Sequence, residues 1–165
     1  MAVNISAIEF RQRDMAAEIS AVLHETGLPP QYLEIELTES LLMHHTDQVL
    51  DTLHALRALG VGISIDDFGT GYSSLAYLKR YPIDKLKIDR SFVKDTPGNA
   101  DDVAIVTAII QMGRSLQLNT VAEGVETQAQ IALLMRLGCD LAQGYALSKP
   151  LDASSAEHWL RSIAS

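Results

Sequence analysis

Short apolar runs of strand length alternate along this chain with longer stretches whose apolar residues recur every three or four positions. The runs at 2–5, 33–37, 61–66, 85–88, 120–122 and 141–146 are the expected strands. Helical spacing is expected over 14–25, where Met15, Ile19, Val22 and Leu23 share a face, and over 46–59, where Val49, Leu50, Leu53, Leu56 and Leu59 do. Gly27, followed by Pro29 and Pro30, stops the first of these helices. Thr46 caps the second and Gly60 ends it. A short helix is expected over 73–80, before Pro82. Longer ones follow over 100–116, burying Val103, Val106, Ile110 and Leu116, over 127–137 with Gly138 behind it, and over 153–163 with Trp159.

Strands that alternate with helices build parallel βαβ units, and strands apolar on both sides are the kind that helices cover. The expectation is one α/β domain, with the stretch 95–102 as a loop around Pro97 and Gly98. A length of 165 residues with 47% hydrophobic and 21% charged side chains suits a single soluble domain with a real core. No apolar run approaches the roughly 18 residues of a membrane span. Residues 1–14 lack the apolar centre of a signal peptide, so a cytoplasmic location is expected. One cysteine, Cys139, cannot form an internal disulfide and reads as a small core residue.

The net charge of −8 disfavours broad attraction to duplex nucleic acid or anionic lipid. An acidic protein can still handle a phosphate ester if some of its carboxylates hold cations. The polar residues supply such a set, because they recur where strands give way to loops. Asn4, Glu36, Asp66 with Asp67, Lys87, Glu123 and Gln143 are separated by 32, 30, 21, 36 and 20 positions. One such group per strand converges, in a (βα) barrel, on the face formed by the C-terminal strand ends, where active sites of that architecture lie. Carboxylates and a neutral amide oxygen are ligands for hard divalent cations. Two cations a few ångströms apart activate water and stabilise a leaving oxygen together, so a phosphodiester-cutting site is expected here. Taken singly each residue has a plainer reading. Asp66-Asp67 makes a turn or cap, Lys87 is a lysine reaching to solvent, Asn4 forms an Asx turn, and Gln143 bonds a helix end. Their joint spacing favours the site. The two glycines of Asp67-Phe68-Gly69-Thr70-Gly71-Tyr72-Ser73-Ser74 permit unusual backbone angles, and the serines cap the next helix, which fits a loop closing over the metals.

Five runs carry a family resemblance: Glu36-Leu37-Thr38-Glu39-Ser40, Ile65-Asp66-Asp67-Phe68-Gly69-Thr70-Gly71-Tyr72-Ser73-Ser74-Leu75, Leu86-Lys87-Ile88-Asp89-Arg90-Ser91-Phe92, Val121-Ala122-Glu123-Gly124-Val125-Glu126-Thr127, and Gln143-Gly144-Tyr145 with Ser148-Lys149-Pro150. Together they resemble the EAL domain, a bacterial phosphodiesterase family acting on cyclic di-GMP, across nearly the whole chain. The resemblance implies a TIM-like (βα) barrel, two Mg²⁺ or Mn²⁺ ions and hydrolysis of cyclic di-GMP to linear pGpG. It implies Asn4, Glu36, Asp66, Asp67 and Glu123 as metal ligands, and Lys87 as the lysine that positions or activates the water. Glu126 and Gln143 are implied as supporting residues, and Glu39 as the glutamate that steadies the loop after Asp67, a loop linked in the family to dimerisation.

The family's opening strands, with Tyr-Gln-Pro-Ile and the Glu-Ala-Leu that names it, have no counterpart in residues 1–165. The expectation is therefore an incomplete barrel with about six of eight strands, lacking a metal-binding glutamate and an arginine for substrate phosphate. Such a chain is expected to dimerise or swap, or to be part of a longer protein with a GGDEF or sensory module upstream. The competing expectation is a catalytically inactive EAL domain that binds cyclic di-GMP or a protein partner.

Overall fold

Six parallel strands pair in chain order, β1 Ala2–Ile5, β2 Glu34–Thr38, β3 Gly62–Phe68, β4 Lys85–Ile88, β5 Asn119–Ala122 and β6 Leu141–Ala142, with β1 and β6 at the two edges. The computed structural model describes residues 1–12, 14–42, 47–71 and 78–163. The helices are α1 Ala7–Gln12, α2 Met15–Thr26, α3 Glu39–Leu42, α4 Asp47–Leu59, α5 Arg90–Val93, α6 Ala100–Leu116 and α7 Gln128–Leu137 between strands, and α8 Ala153–Ile163 after β6. This is the expected α/β architecture of an incomplete barrel. Thr46 and most of the helix expected over 73–80, with Tyr72, Ser73 and Ser74, lie outside the described residues.

The register divides the sheet into two faces. Glu34 pairs with Gly62, Glu36 with Ser64 and Thr38 with Asp66, while Ile35 pairs with Ile63 and Leu37 with Ile65. Paired residues of parallel strands point the same way and successive residues alternate, so one face is polar and the other apolar. The apolar face meets the helices. Leu37, Ile63, Ile65, Leu86 and Ile88 are fully buried there, with Leu53 and Leu56 of α4 and Ile110 of α6 in the same core. Each such side chain contributes about 1.5–3 kcal/mol relative to exposure.

Local chemistry sets the helix ends. The Asp14 carboxylate accepts from the Ala17 amide at 3.1 Å and starts α2, and Gly27, at φ 68°, ends it. Thr127 and Gln130 form a reciprocal capping box at the start of α7. Several expectations are corrected. Val22 is exposed, because the buried stripe of α2 is Met15, Ile19 and Leu23. Val103 and Leu116 are half-buried, and Val106, Ile109, Ile110 and Gly113 form the buried face of α6. β6 ends at Ala142 rather than at 146, since Gly144 breaks the extended run. Cys139 is half-buried, and its thiol donates to the carbonyls of Thr120 and Leu141.

The strand carrying the two aspartates runs two residues further than expected, to Phe68. Its pairing with β4 slips on the way: Ser64 faces Lys85 and Ile65 faces Leu86, but Phe68 faces Ile88. Asp66 and Asp67 therefore stand against Lys87 alone, and one extra residue is accommodated by a β-bulge. Asp67 takes it up with φ 54°, in the left-handed region that aspartate tolerates better than most residues.

Candidate metal centre

Lys87 is the hub of the polar face. It is 5% exposed, and its Nζ lies 2.8 Å from Glu123 Oε1, 2.9 Å from Glu36 Oε1 and 3.1 Å from Asp66 Oδ1. Strand alternation puts Lys87 on this face, and the parallel register brings β2, β3 and the end of β5 to the same height. Burial alone would discharge the amine. The three carboxylates outweigh it and hold the ammonium above the ordinary lysine range. The plainer reading of Lys87 as a lysine reaching to solvent is thereby overturned.

A second grouping overlaps the first. Carboxylate oxygens of Asp66, Asp67 and Glu123 all lie within 4.8 Å of one another. In a regular strand Asp66 and Asp67 would point to opposite faces. The bulge, with the positive φ of Asp67, turns both toward Glu123. The Asp66 carboxylate is steadied by the Asp67 amide, which donates to its Oδ1 at 3.0 Å.

Charge crowding marks this corner. Burial raises Glu123 above the usual glutamate range despite the attraction of Lys87. Asp67 is also raised, by burial first, then by the charge of Asp66 and a hydrogen bond with Asp89. Asp89 moves the other way. Burial would raise it, but hydrogen bonds from the Ser91 hydroxyl and amide outweigh that and lower it. One lysine among Glu36, Asp66, Asp67 and Glu123 leaves excess negative charge on hard oxygen donors, so the donor set fits a divalent cation.

The surrounding loops carry the remaining residues. Glu39 is 3% exposed, and its Oε2 accepts from the amides of Gly69 at 3.0 Å and Gly71 at 3.1 Å. The loop after the aspartates is thus tied to the end of β2. Asn4 lies in register with Glu36 on the polar face, at the exposed edge strand. Gln143 follows β6, with its amide donating to Ala122 and its carbonyl accepting from Val125, and it is exposed. Glu126 is half-exposed and pairs with Arg90 at 2.6 Å.

Three contributors escaped the sequence reading. Asp89 lies beside Asp67 across the β3–β4 bulge, and its signals were its place at a strand end and in the run Leu86-Lys87-Ile88-Asp89. Arg90 follows it. Gln130 is 3% exposed, and its Oε1 accepts from the amides of Glu126 and Thr127 while its Nε2 donates to the carbonyls of Val93 and Lys94. It fastens the loop after Glu123 to α5. The pattern Thr-x-x-Gln was the available signal for it.

Known proteins resemble this chain in sequence and fold. The family model of the EAL domain matches residues 1–150. The cyclic di-GMP phosphodiesterase NbdA of Pseudomonas aeruginosa is 48% identical over 161 residues, 98% of this chain and 21% of that protein. The chain thus spans about a fifth of that curated relative. A solved structure of the PaMucR phosphodiesterase in complex with c-di-GMP superposes with a TM-score of 0.90 at 50% identity, covering 94% of this chain and 63% of the other. A manganese and cy-diGMP complex of Klebsiella pneumoniae BlrP1 gives a TM-score of 0.83 at 35% identity, over 90% of this chain and 38% of that one. With the family model running from the first strand past the last, the chain belongs to the EAL domain family.

Proposed function

We propose that this domain hydrolyses cyclic di-GMP to linear pGpG in bacterial second-messenger signalling, using Mg²⁺ or Mn²⁺, two ions per complete site. The observation that carries the reading is the meeting of Glu36, Asp66 and Glu123 around Lys87, with Asp67 drawn into the same cluster by the bulge.

In this reading Asn4, Glu36, Asp66, Asp67 and Glu123 hold the cations. Cations so held would supply positive charge for the phosphodiester and activate the attacking water. Lys87, whose three donors are taken by Glu36, Asp66 and Glu123 in this structure, would turn one of them to position that water once cations draw the carboxylates to themselves. Glu123 accepts hydrogen bonds beside it, and its raised proton affinity suits it to share a proton. Glu39 keeps the Gly69–Gly71 loop in place, and Glu126 and Gln143 support the rim. The domain occupies residues 1–165, without the family's first two strands, in a cytoplasmic protein that works as a homodimer or swapped assembly with a GGDEF or sensory module upstream.

Release of pGpG with Mg²⁺ or Mn²⁺, followed by chromatography, tests the proposal. Turnover abolished by Asp66→Asn is the expected result, and turnover undiminished by that change would overturn it. The alternative is a catalytically inactive domain that binds cyclic di-GMP or a protein partner without cleavage. Calorimetric binding of cyclic di-GMP with no pGpG formed would select that reading.

A further inference from the structure

Arg90 lies where the two sides of the acidic cluster approach each other. Its chain neighbour Asp89 lies beside Asp67. Its own side chain crosses to the loop after β5 and lies flat on Gly124, the residue that follows Glu123. A Cβ at position 124 would overlap Arg90 Cγ and would lie 2.7 Å from Cδ, so only glycine leaves this path open. Gly124 also holds φ 65°, which glycine adopts without strain. The Arg90 guanidinium ends 2.6 Å from Glu126 Oε1, with its side chain 61% exposed.

An exposed ion pair of this kind contributes little to folding. The geometry is nevertheless constrained: the stem is laid down by the Gly124 surface and one end of the fork is held by Glu126. Arginine has five donors in a fixed plane, and Glu126 takes one of the nitrogens, so others face solvent at the site mouth. The charge pattern matters as well. Asp66, Asp67, Asp89, Glu123 and Glu126 lie around this mouth, and the charge of Lys87 is shared among Glu36, Asp66 and Glu123. An anionic ligand approaching here meets in Arg90 a cation whose donors are partly free and already oriented.

We propose that Arg90 binds the dinucleotide directly, giving its fork to a pair of adjacent acceptors, either the oxygens of a phosphodiester or the O6/N7 edge of a guanine. This rests on the cyclic di-GMP reading above. Calorimetry on the chain with cyclic di-GMP, with Ca²⁺ as the added cation and chromatography to verify that the ligand stays intact, tests it. Arg90→Ala is expected to weaken binding about tenfold or more, with an unchanged melting temperature. Arg90→Lys, which keeps the charge and loses the fork, is expected to recover only part of that loss. Arg90→Gln keeps most of the stem and serves if the alanine variant folds poorly. Cyclic di-AMP distinguishes the sources. Its affinity falls by the same factor if the fork holds phosphate, and stays unchanged if the fork reads guanine. Binding by Arg90→Ala or Arg90→Gln as tight as that of the unsubstituted chain overturns this inference alone. Failure of the unsubstituted chain to bind cyclic di-GMP overturns the underlying reading and this inference with it.

Discussion

The backbone amide of Asp67 donates to the carboxylate of Asp66 at 3.0 Å, so each of the two adjacent aspartates fixes the other. Their cooperation depends on the bulge. Without the extra residue, one of them would face the helices. A positive φ at Asp67 makes the position selective in a way that charge alone does not.

Asp67→Asn is expected to fold normally, since asparagine tolerates the left-handed region, while binding Mn²⁺ at least tenfold more weakly. Asp67→Val is expected to lose about 1–3 kcal/mol of stability as well, because a β-branched residue is strained at that φ. Denaturant melts of both variants beside a Mn²⁺ titration check this. Equal stability of the two variants would argue against the bulge geometry.

Lys87 compensates three carboxylates that are themselves mostly buried. Lys87→Met leaves them facing one another, and an uncompensated buried charge costs about 3–5 kcal/mol. In a chelating buffer the variant should therefore melt well below the parent chain. Added Mn²⁺ should raise its melting temperature by more than it raises the parent's. A variant insensitive to Mn²⁺ would contradict a cation site at this cluster.

Glu39 holds the amides of Gly69 and Gly71 with one oxygen. Glu39→Ala removes this shared acceptor and is expected to destabilise the loop by about 1–3 kcal/mol per orphaned donor. Hydrogen exchange should quicken at those two amides while the core strands stay protected. Glu39→Gln, which keeps an acceptor oxygen, should preserve most of the protection.

Proton uptake gives a prediction with opposite signs for two measurements. Glu123 and Asp67 have raised proton affinities, so each becomes protonated above the ordinary carboxylate value of 4.5 or 3.8 as pH falls. Cation binding needs them ionised, so Mn²⁺ affinity should decline as pH descends toward that window from above. The folded chain binds these protons more tightly than the unfolded one, so in the same window their contribution to ion-free stability rises as pH falls. Calorimetry against pH, compared with Glu123→Gln, separates the effects. A Mn²⁺ affinity that does not change on acidification would refute the assignment of these groups as ligands.

Alternation of strand and helix was legible in the chain because the strands stand out as short apolar runs and burial imposes a period of three to four on the helices. The strand-end positions of Glu36, Asp66, Lys87 and Glu123 were legible for the same reason: a parallel sheet puts the ends of its strands side by side. The motif runs made the family readable as well, and the EAL domain match bears that out. Short elements and details of exposure were harder to see. Val22 fits the helical period of α2 but lies off its buried stripe, which follows from how α2 sits on the sheet. β6 looked longer because Tyr145 and Ala146 are apolar, yet Gly144 turns the chain away.

The amino-acid sequence by itself determined the order of elements, the apolar face of the sheet and the chemical types available at its strand ends, since these depend on local period and side-chain chemistry. Only the tertiary structure decided that Asp66 and Asp67 act on the same side, that Lys87 is buried among three acids, and that Asp89, Arg90 and Gln130 belong to the same neighbourhood. Those relations depend on strand register and on contacts between residues some 20 to 60 positions apart, and register is set by the packing of the whole sheet.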